Sequence, residues 1–169
     1  MEIERKWLIS PEKIPYRLEE LPALAIEQAY ISFNPVVRVR KINEGERYIL
    51  TIKRPTEHGG IAAAEAEHEI DRETYEFLLG HAAGAVITKT RYLHTLPAGL
   101  TEEIDVFSGA LKGLAYLEIE FPDLETAKSW PTPAWAEADV TMEGRFKNSA
   151  LALHGMPEIW QDDINRLKK

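Results

Sequence analysis

Polar and mostly charged side chains recur at every second position in eight segments of the chain, and this period constrains the fold more than any other feature. In the first segment, Glu2, Glu4 and Lys6 alternate with Ile3 and Trp7. Successive side chains of a β-strand point to opposite faces, so each segment has one polar and one largely apolar face. The pattern predicts strands over Glu2–Ile9, Glu27–Phe33, Val36–Ile42, Tyr48–Arg54, Ala62–Ile70, Val86–Leu96, Leu100–Phe107 and Tyr116–Phe121.

The connections between these segments favour antiparallel pairing. Asn43-Glu44-Gly45 and Pro97-Ala98-Gly99 are typical of hairpin turns. Helices are predicted between or after the strands, over Pro11–Leu21, Asp71–Ala82, Pro122–Trp130, Glu143–His154 and Pro157–Lys168. The predicted fold is therefore α+β, an eight-stranded, mostly antiparallel closed β-barrel with flanking helices. Residues 1–154 are predicted to form the barrel domain, and residues 155–169 a C-terminal helix packed on it.

Composition excludes several classes of protein. The 169 residues suit one ordinary domain, and the net charge of −8 argues against a non-specific nucleic-acid binder. No apolar run reaches membrane-spanning length, and the first residues lack a secretory signal pattern. With no cysteine there is neither a disulfide nor a thiolate metal site. These features predict a cytoplasmic protein without nucleic-acid or membrane partners.

The charges on the polar faces are sorted by strand. The cationic side chains are Lys6, Arg38, Arg40, Lys53, Lys89 and Arg91, and the carboxylates are Glu2, Glu4, Glu65, Glu67, Glu103, Asp105, Glu118 and Glu120. An open sheet with one solvated face would be the simplest explanation of alternation in any one strand. If the sheet closes, however, these charges face inward, and burying them unpaired would be costly. Both signs together then suit a polyphosphate held with a hard divalent cation, Mg²⁺ or Mn²⁺.

The ordered set of these motifs resembles the CYTH superfamily, also called the triphosphate tunnel metalloenzymes. The resemblance rests on Glu2-Ile3-Glu4-Arg5-Lys6, Gln28-Ala29-Tyr30-Ile31, Arg38-Val39-Arg40, Thr51-Ile52-Lys53, Glu65-Ala66-Glu67, Lys89-Thr90-Arg91-Tyr92, Glu103-Ile104-Asp105-Val106-Phe107 and Leu117-Glu118-Ile119-Glu120-Phe121. It ends in Val140-Thr141, Arg145-Phe146-Lys147-Asn148 and Leu151-Ala152, which are similar to the close of small bacterial members.

The resemblance implies a tunnel that is open at both ends and holds triphosphate with a divalent metal. It assigns the metal to Glu2, Glu4 and Glu120, with Glu118 and Asp105 as further ligands. It assigns phosphate binding to Lys6, Arg38, Arg40, Lys53, Lys89 and Arg91. Tyr30 matches a tyrosine proposed as a proton acceptor, and Lys89 is the second predicted catalytic residue.

Two positions depart from the family pattern. Ala63 stands where the fifth strand usually carries an arginine, so one phosphate contact or internal ion pair is missing. Asp139 replaces the usual glutamate before Val140-Thr141.

The predicted activity is hydrolysis of inorganic triphosphate to pyrophosphate and phosphate. Within the family, a thiamine triphosphatase, a nucleoside triphosphatase or a class IV adenylyl cyclase would act on a related organic triphosphate. A different class is a module that binds polyphosphate without turnover. The sequence leaves open which triphosphate is used, the preferred metal and whether the chain forms a homodimer.

Overall fold

The computed structural model describes residues 1–57 and 59–159, and β-strands dominate it. The strands are β1 (Glu2–Ile9), β2 (Ala23–Phe33), β3 (Val36–Ile42), β4 (Arg47–Thr56), β5 (Gly59–Ile70), β6 (Ala83–Thr95), β7 (Thr101–Phe107), β8 (Ala115–Glu120) and β9 (Ala136–Asp139). The α-helices of these residues are α1 (Arg72–Leu79), α2 (Leu124–Ser129) and α3 (Asn148–His154). None of these helices is long and apolar enough to cross a membrane.

Eight of the strands form a closed antiparallel barrel, as predicted. They follow the order β5-β4-β3-β2-β6-β7-β8-β1, and β1 pairs with β5 to complete the circle. That last seam is short, because its paired residues are Glu2 with Ala63 and Ile3 with Ala62. The alternating faces therefore become the inside and the outside of one barrel.

The ninth strand lies outside the barrel and was not predicted. β9 pairs with Trp7–Ile9 of β1, on the edge that β5 leaves open beyond Ile3. Its sequence, Ala136-Glu137-Ala138-Asp139, has no β-branched or aromatic residue and hence no strand signal of its own. The unpaired backbone of β1 supplies the hydrogen-bond partners that make this segment extended.

The apolar outer face is covered by the helices and loops. Trp7, Ile104 and Leu117 are fully buried in a cluster that includes residues of α2 and the loop after it. On the opposite side Tyr75 of α1 packs on Ala29 and Val39. This cover leaves the inner, charged face as the wall of an interior space.

The helix predictions were confirmed in part. Asp71 and Asp123 cap α1 and α2 by accepting hydrogen bonds from the amides of Thr74 and Thr126. The helix predicted over Pro11–Leu21 is wrong: the segment has only short 3₁₀ turns at Pro11–Lys13 and Leu18–Glu20. Pro15 lies between them, lacks an amide hydrogen and would break an α-helix there.

The C-terminal helix predictions also changed. The helix predicted from Glu143 begins only at Asn148, after a 3₁₀ turn at Gly144–Phe146, and it ends at His154 before Gly155. Gly155 has a φ of +77°, which favours glycine. The helix predicted over Pro157–Lys168 falls mostly on residues 160–169, outside the described residues, and residues 157–159 are not helical. The predicted division at residue 155 stays a prediction.

Arg5 is the one charged side chain on the apolar face of β1, and the structure explains it. Its Nη1 donates to the carbonyl oxygens of Ala127 (3.0 Å) and Trp130 (2.5 Å) at the C-terminal end of α2. Its Nη2 forms an ion pair with Asp139 of β9. A cation at a helix C-terminus also complements the helix dipole. Arg5 thus fastens α2 and β9 to the barrel wall.

We expect Arg5→Met to lower the free energy of unfolding by about 1–3 kcal/mol, because charge-assisted hydrogen bonds are lost and carbonyls are left unpaired. Urea denaturation followed by circular dichroism would measure this change. His68→Ala is the matched control, because His68 is a polar residue on the apolar face of β5 and is exposed. Its effect should stay within about 0.5 kcal/mol. Equal stability of Arg5→Met and the wild type would contradict the fastening role.

Candidate active site

The inner face of the barrel encloses a cavity of about 500 Å³. The charged residues that line it are Glu2, Glu4, Lys6, Arg38, Arg40, Lys53, Glu65, Glu67, Arg91, Glu103, Glu118, Glu120 and Lys147. Tyr30 also lines the cavity. Of the predicted site residues, Lys89 and Asp105 are not part of this lining; their side chains are fully buried behind it. The structure therefore brings together most, but not all, of the residues singled out in the sequence.

One region of the cavity is crowded with carboxylates. Glu4 pairs directly with Glu120 across β1 and β8, and Glu2 lies one inward position away. Burial raises the pKa of Glu120, and the nearby charges of Glu2, Glu4 and Glu65 raise it further. Burial likewise raises the pKa of Glu2 above its ordinary value, although Lys53 opposes this. The crowding means that added positive charge would be favourable here.

Lys53 supplies part of that positive charge. Its Nζ forms an ion pair with Glu2 and lies 3.2 Å from Oε2 of Glu65. Within the described ranges, no cluster of three or more acidic or histidine side chains is already arranged to hold a metal ion. The chemistry of the donor set nevertheless fits a hard divalent cation, because it consists of carboxylate oxygens whose mutual repulsion such a cation relieves.

A second region of the cavity is cationic and poorly neutralised. Among the described residues, Arg38 has only Glu67 as an ion-pair partner, at 3.7 Å, and Arg40 has no carboxylate at ion-pair distance. The Nε atoms of both guanidiniums are buried without a hydrogen-bond partner. Burial lowers the pKa of Arg40 to about 10, and the charges of Arg38 and Arg91 contribute to this. Two adjacent guanidiniums with unused donors form a site for an anion.

Arg91, by contrast, is heavily neutralised. It forms ion pairs with Glu103, with Asp105 (Nε to Oδ1, 2.7 Å) and with Glu118 (Nη2 to Oε2, 2.6 Å). Lys6 also pairs with Glu118, at 2.9 Å. Burial alone would raise the pKa of Glu118, but the cations Lys6 and Arg91 hold it well below its usual range. Arg91 and Lys6 therefore belong to an internal ion-pair network on the cavity wall.

Lys89 lies at the buried end of this network. Its Nζ is 2.5 Å from Oδ2 of Asp105, and neither side chain is exposed. Burial lowers the pKa of Lys89 to about 8, although Asp105 opposes the change. Tyr30 and Lys89, the two predicted catalytic residues, share no hydrogen bond in the part of the chain that the structure describes. Their catalytic roles stay predictions.

Several lining residues were not assigned a role from the sequence. Glu103 lines the cavity beside Arg91, and burial raises its pKa to about 7. Lys147 and Asn148 reach the cavity from the N-terminal end of α3. Their motif was noticed only as part of the resemblance, since nothing in its spacing indicates contact with a barrel interior. Ala63, the departure on the fifth strand, lines the cavity opposite Glu2.

Comparison with known proteins gives a consistent set of relatives. A family model described as the CYTH domain matches residues 1–141. The inorganic triphosphatase of Nitrosomonas europaea is 35% identical over 153 residues, which are 90% of this chain and 97% of the relative. The inorganic triphosphatase of Acetivibrio thermocellus is 34% identical over 153 residues, 89% and 92% of the two chains. A crystal structure of an inorganic triphosphatase matches with a TM-score of 0.65 at 34% identity and covers 93% of this chain and 97% of that one.

Proposed function

The chain belongs to the CYTH domain family, and on that basis we propose that it hydrolyses inorganic triphosphate to pyrophosphate and phosphate with a divalent metal ion. One observation carries the proposal: a single cavity has crowded carboxylates in one region and two poorly neutralised arginines in another. A linear polyanion bridged to a cation matches both regions at once. The names of the two bacterial relatives support the same reaction.

The residues that would hold the metal, Mg²⁺ or Mn²⁺, are Glu2, Glu4 and Glu120. Asp105 and Glu118 were also predicted as metal ligands, but both already form ion pairs with Arg91. We therefore propose that these two mainly hold the guanidinium in place. When bound, the metal would neutralise the phosphate chain and acidify the attacking water.

The phosphate oxygens would be held first by Arg38 and Arg40, whose Nε atoms have no hydrogen-bond partner among the described residues. Lys6, Lys53 and Arg91 line the same cavity and would add positive charge as the phosphate binds. Lys89 does not line the cavity, so it would act on the phosphate indirectly, through its ion pair with Asp105. Water attacks the terminal phosphorus and loses a proton to the solvent, the bridging P–O bond breaks and pyrophosphate leaves, and the cationic side chains stabilise the negative charge on the transferred and leaving groups.

The remaining predictions, on the substrate, the partners and the cellular location, are part of this proposal. Inorganic triphosphate is the proposed substrate, and organic triphosphates are the competitors. A cytoplasmic location and the absence of nucleic-acid and membrane partners stay predictions, and whether the chain forms a homodimer stays open.

Phosphate release from a panel of substrates tests the activity. We expect kcat/KM for inorganic triphosphate to exceed that for ATP and for thiamine triphosphate by at least about tenfold. Of the described residues that line the cavity, only Tyr30 and Phe146 are aromatic, and both are buried, so an organic group would gain little from stacking. Pyrophosphate should be poor, because it is too short to reach both regions.

The same panel contains its control. Release should need Mg²⁺ or Mn²⁺ and should stop when EDTA is present. Preference for ATP or thiamine triphosphate by about tenfold would contradict the substrate assignment. Binding of triphosphate without release under any metal condition would instead show a non-catalytic binder.

A further inference from the structure

Gln28 is a polar side chain that the proposed reaction has not used. It lies on the inner face of β2, is fully buried and is not among the residues that line the cavity. Its amide stands between two residues that do line it, Tyr30 and Arg40. A buried amide in this position connects the phenol to the guanidinium.

The orientation of this amide is fixed by its partners. Nη2 of Arg40 lies 3.2 Å from Oε1 of Gln28, and Nε2 of Gln28 lies 3.2 Å from the hydroxyl oxygen of Tyr30. The two ends of a glutamine amide are easily interchanged in a structure. A guanidinium has only donors, however, so the amide oxygen must face Arg40. The NH₂ group must therefore face Tyr30, whose oxygen accepts.

This fixes where the proton of Tyr30 can go. A hydroxyl oxygen that accepts one hydrogen bond still has a proton of its own to donate. Within residues 1–57 and 59–159, no protein acceptor forms a hydrogen bond with that proton. Arg38 and Arg40, the charged neighbours of Tyr30, can only donate. The open direction is the cavity, which Tyr30 lines.

We propose that Gln28 is a positioning residue that makes Tyr30 a hydrogen-bond donor to a phosphate oxygen of the substrate, not a base. The inference rests on the proposed function, because it needs a phosphate chain beside Arg38 and Arg40. It also gives Tyr30 a role in which the hydroxyl keeps its proton and donates it to a hydrogen bond.

Gln28→Glu is the informative substitution. A carboxylate of nearly the same size only accepts, so it would take hydrogen bonds from both Arg40 and the hydroxyl of Tyr30 and turn that proton away from the cavity. We expect kcat/KM for triphosphate to fall at least about 30-fold, because the hydrogen bond from Tyr30 to a charged group is lost and the charge of Arg40 is partly neutralised. The melting temperature should change little, because the new charge is paired with Arg40.

A double-mutant cycle separates this role from a merely structural one. Tyr30→Phe should lower kcat/KM by about tenfold or more. If Gln28 acts through Tyr30, the double variant should be within about threefold of Gln28→Glu alone. Effects that multiply in the double variant would overturn the proposal. If Gln28→Glu does not fold, Gln28→Met keeps the volume and allows the same cycle.

Glu27→Gln is the matched control, because Glu27 is the preceding residue of β2, points outward and accepts a hydrogen bond from Tyr75. Its activity should stay within about twofold of the wild type. Calorimetric binding of inorganic triphosphate separates the two proposals. If the wild type binds triphosphate without hydrolysing it, the proposed function fails, and the cycle in Kd still tests Gln28: coupled losses support it and independent losses overturn it. If the wild type hydrolyses triphosphate but Gln28→Glu is as active, only the Gln28 proposal fails.

Discussion

Glu4→Gln should lower kcat/KM for triphosphate by about 10² to 10³-fold at a fixed, moderate Mg²⁺ concentration. Glu4 faces Glu120 directly across β1 and β8, and Glu2 is the next inward residue. Removing one of these charges weakens the affinity for a hard cation, which depends on the number of anionic oxygens. It also removes an electrostatic stabiliser of the reaction, and such losses typically reach this size. Phosphate release as a function of Mg²⁺ concentration would measure both effects.

The dependence on metal distinguishes a ligand from a residue that only shapes the cavity. The Mg²⁺ concentration for half-maximal activity should rise in Glu4→Gln and in Glu2→Gln. Glu69→Gln is the matched control, since Glu69 lies on β5 in an exposed ion pair with Arg47 and does not line the cavity. It should behave like the wild type. Near-normal turnover of Glu2→Gln and Glu4→Gln at low Mg²⁺ would remove these residues from the metal site.

The strands and their charged faces were predictable because both follow from a period of two. Side chains such as Arg38 and Arg40 must share a face if their strand is regular, and the apolar residues between them need cover. Closure did not follow from the charge, because an open sheet with a solvated face would satisfy it equally well; the family resemblance implied the tunnel. The structure agrees on the fold and on the cavity.

The sequence did not predict which of the inward cations are neutralised by carboxylates and which are not. Lys89 and Arg40 are alike in the sequence, since each lies two positions from another arginine on a basic strand. Which carboxylate reaches which cation depends on the strand order, which places β7 beside β6 and leaves β3 between β2 and β4. Asp105 therefore neutralises Lys89, whereas the one side-chain hydrogen bond of Arg40 to a described residue goes to the neutral amide of Gln28. The alternation of polar and apolar residues predicts on which face of the sheet a side chain lies, but not which side chains of neighbouring strands it contacts.

This difference in neutralisation predicts opposite effects on the free energy of unfolding when Arg40 and Lys89 are replaced. Arg40→Met should lower kcat/KM for triphosphate by about 10²-fold while leaving the free energy of unfolding equal or higher. Its guanidinium has no carboxylate partner in the described residues and lies close to Arg38 and Arg91, whose charges lower its pKa. Removing it relieves like-charge repulsion, which offsets the cost of leaving the buried amide oxygen of Gln28 without its hydrogen bond. Kinetics and urea denaturation of the same preparation would measure both quantities.

Lys89→Met is the substitution to compare with Arg40→Met, because both replace a buried cation of the barrel with methionine. It removes the ion pair with Asp105 and leaves that buried carboxylate with Arg91 as its ion-pair partner among the described residues. Breaking a buried pair on one side typically costs about 3–5 kcal/mol, and the remaining partner places this case at the lower end. We therefore expect Lys89→Met to be clearly less stable than Arg40→Met. If Lys89→Met instead keeps the wild-type free energy of unfolding and loses only activity, Lys89 contributes to the reaction directly. The ion pair with Asp105 would then not stabilise this wall of the barrel.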